Sequence, residues 1–305
     1  MTQKFACIEA GGTKFICAIA DVNGDVLERC KIDTTDPKIT MDQVISFFKE
    51  MQSKYTISAM GIGAFGPVDP DLKSETYGYI TTTPKKGWNN YNIVGELKKH
   101  FSMPMGFDTD VNAAALGEHY LGAAKGYNDF IYITVGTGIG AGIMSNGKMI
   151  HGDMHPELGH VFIPQDKSKD SYTGSCGYHG NCLEGLASGT AICNRWGVKR
   201  GSNLPTDHIA WDIESDYLSY AIVNCILTLS PKKIILGGGV MKQLQLFPMI
   251  HQKVAKLLSG YVSKIDVKRM EDMIVPPFLG DNAGVSGALA IAKNSLSVTL
   301  TSDDF

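Results

Sequence analysis

One run of strands and turns occurs twice in this chain, about 125 residues apart. The first copy passes from Phe5-Ala6-Cys7-Ile8 through Glu9-Ala10-Gly11-Gly12-Thr13-Lys14 into the apolar stretch Phe15 to Ala20. Asn23-Gly24 follows, and Val26-Leu27 returns. The second passes from Phe130 to Val135 through Gly136-Thr137-Gly138-Ile139-Gly140 into Ala141 to Met144, with Asn146-Gly147 and Lys148 to Ile150 behind it. Each copy reads as strand, glycine turn, strand, Asn-Gly turn and strand, and Asn-Gly is the signal of a type I′ hairpin. Duplication of that unit predicts two similar domains, each carrying one glycine hairpin.

The segments around the copies alternate between strand and helix. Val44, Phe47, Phe48 and Met51 share one helical face across residues 41–51. Residues 59–63 read as a buried strand, 105–107 as a short strand, and 110–121 as a helix around Ala113, Ala114 and Ala115. Further helices are expected near 184–197, 212–229, 246–259 and 283–293, with a strand at 234–236 ending in Gly237-Gly238-Gly239. Such alternation makes an α/β architecture. The Ser-, Thr- and Asp-rich tail is expected to fray.

A chain of 305 residues has length for about two domains. With 44% hydrophobic and 19% charged residues and no block of charge, disorder is excluded. A net charge of −3 leaves no basic excess for a nucleic acid. No apolar run reaches a membrane span, and Met1 to Phe5 shows no secretory segment, so no membrane partner and a cytoplasmic location are expected. The 34 glycines gather beside apolar runs, where glycine serves tight turns or the close approach of backbone to a ligand. Of the seven cysteines, Cys7, Cys17, Cys193 and Cys225 read as small buried hydrophobes, whereas Cys176 and Cys182 lie in a polar, glycine-rich loop.

Gly136, Gly138 and Gly140 do not form a dinucleotide fingerprint, because that motif opens directly into a helix and these glycines open into an apolar strand. No Walker loop is present either. Each hairpin turn is then a bare tight turn or a set of N–H and hydroxyl groups that faces a phosphate, and the matched contexts favour phosphate. On that reading glycine at 138 leaves room for the phosphate.

Cys176-x-x-His179-x-x-Cys182, with His160 upstream, supplies four zinc ligands. Four protein ligands close the tetrahedron, so such a metal is structural. Glu157 lies three residues before His160, and Glu184 two after Cys182. A loop folded on a metal brings these carboxylates together, either as acceptors for sugar hydroxyls or as caps and surface acids. Asp110 stands between a strand and a helix. It is an N-cap, or a general base at the carboxyl end of a strand, where open α/β sheets place their ligands.

At these residues the sequence resembles the ROK family of bacterial sugar kinases and repressors, and within it the fructokinases. The resemblance spans nearly the whole chain. It rests on Glu9 to Lys14, Phe65-Gly66-Pro67, Asp110-Val111-Asn112 through Glu118, Val135 to Gly140, His155-Pro156-Glu157-Leu158-Gly159-His160, Cys182-Leu183-Glu184, Gly237 to Gly239 and Gly280 to Gly284. It implies a two-domain actin-like (ribonuclease H-like) ATPase and sugar kinase fold with a cleft between domains. The implied division is 1–115 plus about 287–305, and 116–286 with a zinc loop inserted at about 155–184.

Residue by residue, the resemblance makes Asp110 the general base. Gly66, Asn112, Glu157, His160 and Glu184 become substrate-binding residues. Gly11, Gly12, Thr13, Lys14, Thr134, Thr137, Gly138, Gly237, Gly238 and Gly239 become ATP-binding. His160, Cys176, His179 and Cys182 become the zinc ligands. Two departures stand out. Glu9 replaces the family's usual aspartate, which favours a water-mediated Mg²⁺ role, and His179 replaces a cysteine of the usual zinc loop.

The implied reaction is MgATP plus D-fructose giving ADP plus fructose 6-phosphate, in a homodimer. A kinase for mannose, glucose or another hexose is the nearer alternative. A sugar-sensing repressor is disfavoured, because this chain starts on its first hairpin strand without a helix-turn-helix domain. Loss of zinc is expected to disturb the sugar side more than the nucleotide side.

Overall fold

The computed structural model describes residues 3–262 and 266–301, with side chains described as far as Leu296. The chain forms two compact units, one from residues 1–125, 151–155 and 278–305, the other from 126–150 and 156–277.

The first unit holds β1 (Lys4–Ala10), β2 (Lys14–Asp21), β3 (Val26–Asp33), α1 (Pro37–Lys54), β4 (Ile57–Ala64), β5 (Tyr79–Ile80), β6 (Tyr91–Asn92), α2 (Ile93–Lys98), β7 (Met105–Thr109) and α3 (Asp110–Leu121). The second holds β8 (Phe130–Val135), β9 (Ile139–Ser145), β10 (Lys148–Met149), α4 (Leu183–Ala187), α5 (Gly189–Trp196), α6 (Ile209–Leu229), β11 (Lys233–Gly237), α7 (Leu246–Leu258), α8 (Val267–Met273) and β12 (Ile274–Val275). The last helix, α9 (Ala283–Thr301), returns to the first unit.

The two main sheets repeat one plan. Their orders are β3-β2-β1-β4-β7 and β10-β9-β8-β11-β12. In each, the first three strands pair antiparallel and the last two join in parallel. Alternation along β1 sends Phe5 and Cys7 to one face, against Val285, Ala288 and Leu289 of α9. Ala6, Ile8 and Ala10 face Val44 and Phe48 of α1. In the second unit, Ile131, Ile133 and Val135 of β8 share a core with α6 and α7.

Several local expectations are corrected. The first Asn-Gly turn is not type I′, since only Gly24 has positive φ and the Asp21 carboxylate accepts the Asn23 and Asp25 amides. The second turn does have both Asn146 and Gly147 at positive φ. The helix expected over 184–197 is two helices. Ser188 turns extended (φ −73°, ψ 161°) and caps α5 by accepting the Ala191 amide. α9 continues past residue 293 to Thr301, and residues 302–305 of the expected frayed tail lie outside the described residues. Cys7, Cys17 and Cys225 are buried, and burial pushes the Cys7 and Cys225 thiols up to about 12, but Cys193 is only half-buried.

The first unit also extends past the expected limit at residue 115, because α3 is one helix packed along α9. A Cβ at Gly117 would run into the Ala283 carbonyl, and one at Gly287 into that of Ala113. These glycines therefore serve helix contact rather than a ligand. We expect Gly117→Val to destabilise the chain by on the order of 3 kcal/mol, as an overpacked contact that meets backbone. Urea denaturation checks it, and an unchanged midpoint would mean that the two helices can part at no cost.

Candidate active site

In the first unit, β7 hands its carboxyl end to α3, and three consecutive residues there do different work. Asp108 is buried. Its Oδ1 accepts from the Thr109 amide (2.8 Å) and Asn112 Nδ2 (2.7 Å), and His151 Nε2 lies 3.1 Å from its Oδ2. Asn112 Nδ2 lies 3.2 Å from the same His151 nitrogen. Thr109 is the helix cap, its Oγ1 accepting the Asn112 amide at 3.0 Å. Asp110 is therefore not the cap, and its Oδ1 accepts the Val111 amide at 2.8 Å.

Asn112 is buried with its amide nitrogen committed to Asp108, which leaves its carbonyl oxygen as an acceptor. Gly66 lies beside the buried His155 ring, whose Nε2 accepts the Val68 amide at 3.1 Å. A cavity of about 780 Å³ opens against His151, walled by residues 68–74, Thr81 and 152–154.

The two glycine turns are built alike, each within its own unit. Gly11 N–H donates to Lys14 O (3.0 Å), and Gly136 N–H to Gly138 O (2.9 Å). In the first turn, Gly11 O accepts from Thr34 Oγ1 (2.7 Å), Gly12 O from Lys85 Nζ (2.7 Å) and Thr13 O from the Thr34 amide (3.0 Å). In the second, Gly136 O accepts from the Gly189 amide (2.7 Å) and Thr137 O from Thr190 Oγ1 (2.7 Å). The N–H groups of Gly12, Thr13, Thr137 and Gly138 meet no acceptor among the described residues. Turns whose oxygens are consumed while their N–H groups are not can receive an anion.

Around these turns, Lys14 opens β2 with an exposed side chain, and Thr134 pairs with Gly237 across β8 and β11. Gly238 takes φ +89° against the Val135 backbone, the Tyr132 ring fills the space a Cβ at Gly237 would need, and only Gly239 faces open space. Before the first turn, Glu9 Oε2 is buried without a hydrogen-bond partner among the described residues. Burial pushes its carboxyl up, against the pull of Lys14 and Arg29.

In the second unit, the Glu184 Oε2 accepts the Ile139 amide at 2.9 Å. A Cβ at Gly138 would sit 2.5 Å from that oxygen, so glycine there makes room for Glu184 and not only for a phosphate. Burial, with the Glu184 charge beside it, pushes Glu157 up to about 7. The Glu184 charge thus reaches Glu157.

His160, Cys176, His179 and Cys182 bring one donor atom each to within 4.8 Å of one another. His160 Nδ1 lies 3.7 Å from Cys176 Sγ and 3.6 Å from Cys182 Sγ, and Cys176 Sγ is 3.7 Å from His179 Nδ1. A tetrahedron with Zn–S near ~2.3 Å and Zn–N near ~2.0 Å has S···N edges of about 3.5 Å. The donor set and its spacing fit a four-coordinate zinc through both Nδ1 atoms.

A profile described as the ROK family matches residues 5–295. The chain belongs to the ROK family. It is 45% identical over 289 residues to the fructokinase of Pediococcus pentosaceus, covering 95% of this chain and 97% of that one. It is 40% identical over 297 residues to the fructokinase of Streptococcus mutans, covering 96% and 98%. Among solved structures, the ROK hexokinase from Thermus thermophilus matches with a TM-score of 0.78 at 24% identity, over 97% of this chain and 100% of that one. The ROK fold is the actin-like ATPase and sugar kinase fold that the motifs implied.

Sequence reasoning missed Asp108, His151, Gly189 and Thr190. No local signal marks His151, Gly189 and Thr190, because each acts on a residue brought near only by folding. The raised Glu157 pKa gives a pH test for this ROK chain. Its carboxyl moves from an ordinary 4.5 to about 7, so the folded state binds more protons between those values and stability falls as pH rises through that window. We expect Glu157→Gln to flatten the dependence of Tm on pH between 4.5 and 7. An unchanged slope would show that Glu157 is not buried as described.

Proposed function

We propose that this ROK protein is an ATP-dependent fructokinase that transfers the γ-phosphoryl group of ATP to the 6-hydroxyl of D-fructose. The observation that carries the reading is Asp110. It stands at the carboxyl end of a parallel strand, relieved of capping by Thr109 and steered by the Val111 amide. A carboxylate so held can accept the hydroxyl proton as the sugar attacks phosphorus in line, and positioning supplies most of the rest in phosphoryl transfer. The full-length likeness to two proteins named fructokinase supports fructose as the acceptor.

The other residues take roles in keeping with their surroundings. The N–H groups of Gly12, Thr13, Thr137 and Gly138 hold phosphate oxygens, with Lys14 and Thr134 beside them, and Gly237 to Gly239 pass close to the adenosine. Gly66, Asn112, Glu157, His160 and Glu184 receive the sugar. The orphaned Glu9 oxygen suits a hydrated Mg²⁺, which would neutralise phosphate charge. A structural Zn²⁺ held by His160, Cys176, His179 and Cys182 would staple the loop that carries Glu157 and Glu184. We take the protein to be a cytoplasmic homodimer. Among the described residues no helix is long and apolar enough to cross a membrane.

Coupled assays of ADP release with fructose, mannose and glucose should give the highest kcat/KM with fructose. A higher value with glucose or mannose would make it a different hexose kinase. Asp110→Asn should fold normally and lose kcat by roughly 10²–10⁴-fold. Retention of half the activity would leave Asp110 without a catalytic part. Elemental analysis should find one zinc per chain, and a content near zero in active enzyme would reject the metal site.

A further inference from the structure

Three hydrogen bonds fasten the second glycine turn to the eight residues that follow the metal-loop cysteine Cys182. Glu184 Oε2 accepts the Ile139 amide (2.9 Å), the Gly189 amide donates to Gly136 O (2.7 Å), and Thr190 Oγ1 donates to Thr137 O (2.7 Å). Every residue from Gly136 to Ile139 is thus bonded to, or packed against, residues 184–190, since Gly138 is the position where a Cβ would strike the Glu184 carboxylate. The stretch is itself held. Leu183 N–H donates to Val161 O (2.9 Å), and Ser188 caps α5.

Building on the kinase reading above, we propose that Glu184 is a positioning residue for the nucleotide. Through the Ile139 amide, and with Thr190 on the neighbouring carbonyl, it fixes the orientation in which Thr137 and Gly138 present their N–H groups to phosphate. One carboxylate oxygen is spent on the turn, and the other is left for the sugar side. The metal loop, the sugar carboxylates and the phosphate turn then form one mechanical piece. Unfastening the loop reaches the nucleotide through the same three bonds, so its effect is not confined to the sugar side. Glycine at 138 is required by Glu184, and a side chain there would displace the carboxylate before it met a phosphate.

The test is calorimetric binding of ADP and ATP, without sugar, to full-length Glu184→Ala, Glu184→Gln, Thr190→Val and Thr190→Ser, each checked for unchanged metal content and Tm. Loss of a hydrogen bond to a charged group corresponds to about a tenfold change in affinity. Glu184→Ala should weaken nucleotide binding about tenfold. Glu184→Gln, whose carbonyl oxygen still accepts the Ile139 amide, should restore nucleotide affinity while KM for fructose stays raised. Thr190→Val should raise the ATP Kd several-fold with KM for fructose unchanged, and Thr190→Ser should restore it. Nucleotide affinity unchanged in Glu184→Ala and Thr190→Val would overturn the proposal and leave the kinase reading standing. A wild-type protein that binds no nucleotide would overturn both.

Discussion

A hairpin turn offers its N–H groups to an anion only if its carbonyl oxygens are engaged elsewhere. Otherwise the oxygens, which repel phosphate, are as near as the donors. Both glycine turns meet this condition, by different means. Thr34 and Lys85 tie back the first, and Gly189 and Thr190 tie back the second. The repeated strand pattern brings the turns into being, but these ties decide what the turns can bind. They come from residues 21 to 73 positions away along the chain.

Asp110 depends on a comparable support. A lone carboxylate at a helix start would ordinarily turn inward to cap the helix, because orphan N–H groups attract it. Here Thr109 takes that work, and Asp108 below it gathers the Thr109 amide, the Asn112 side chain and His151. The helix is also seated by its glycine contact with α9, where backbone meets backbone. Placement of Asp110 is therefore a product of the residues on either side of it and of a helix more than 160 residues later in the chain.

Much of this was legible in the residues. The duplicated pattern foretold two sheets of one plan, since alternating apolar strands with glycine turns allow few others. The cluster of Cys and His donors was legible too, because Cys and His in a glycine-rich loop have few other uses. Less was legible where one residue type serves two ends. Gly138 read as room for phosphate, and Glu184 also takes up the space a Cβ there would need. The glycines at 284 and 287 carried no assigned part, and Gly284 lies against Glu9 and Gly287 against Ala113. Asn23-Gly24 read as a type I′ turn, but the Asp21 carboxylate imposed another geometry by taking two amides.

By itself the sequence determined most of the strand and helix pattern, the family and a group of Cys and His donors, because each of these is written in short runs of residues. The tertiary structure alone decided that His151 leans on Asp108 and that Glu184 holds the Ile139 amide. The physical reason is the hydrogen bond's reach. A donor and acceptor must come within about 3 Å, and for groups far apart in sequence only the folded backbone sets that distance.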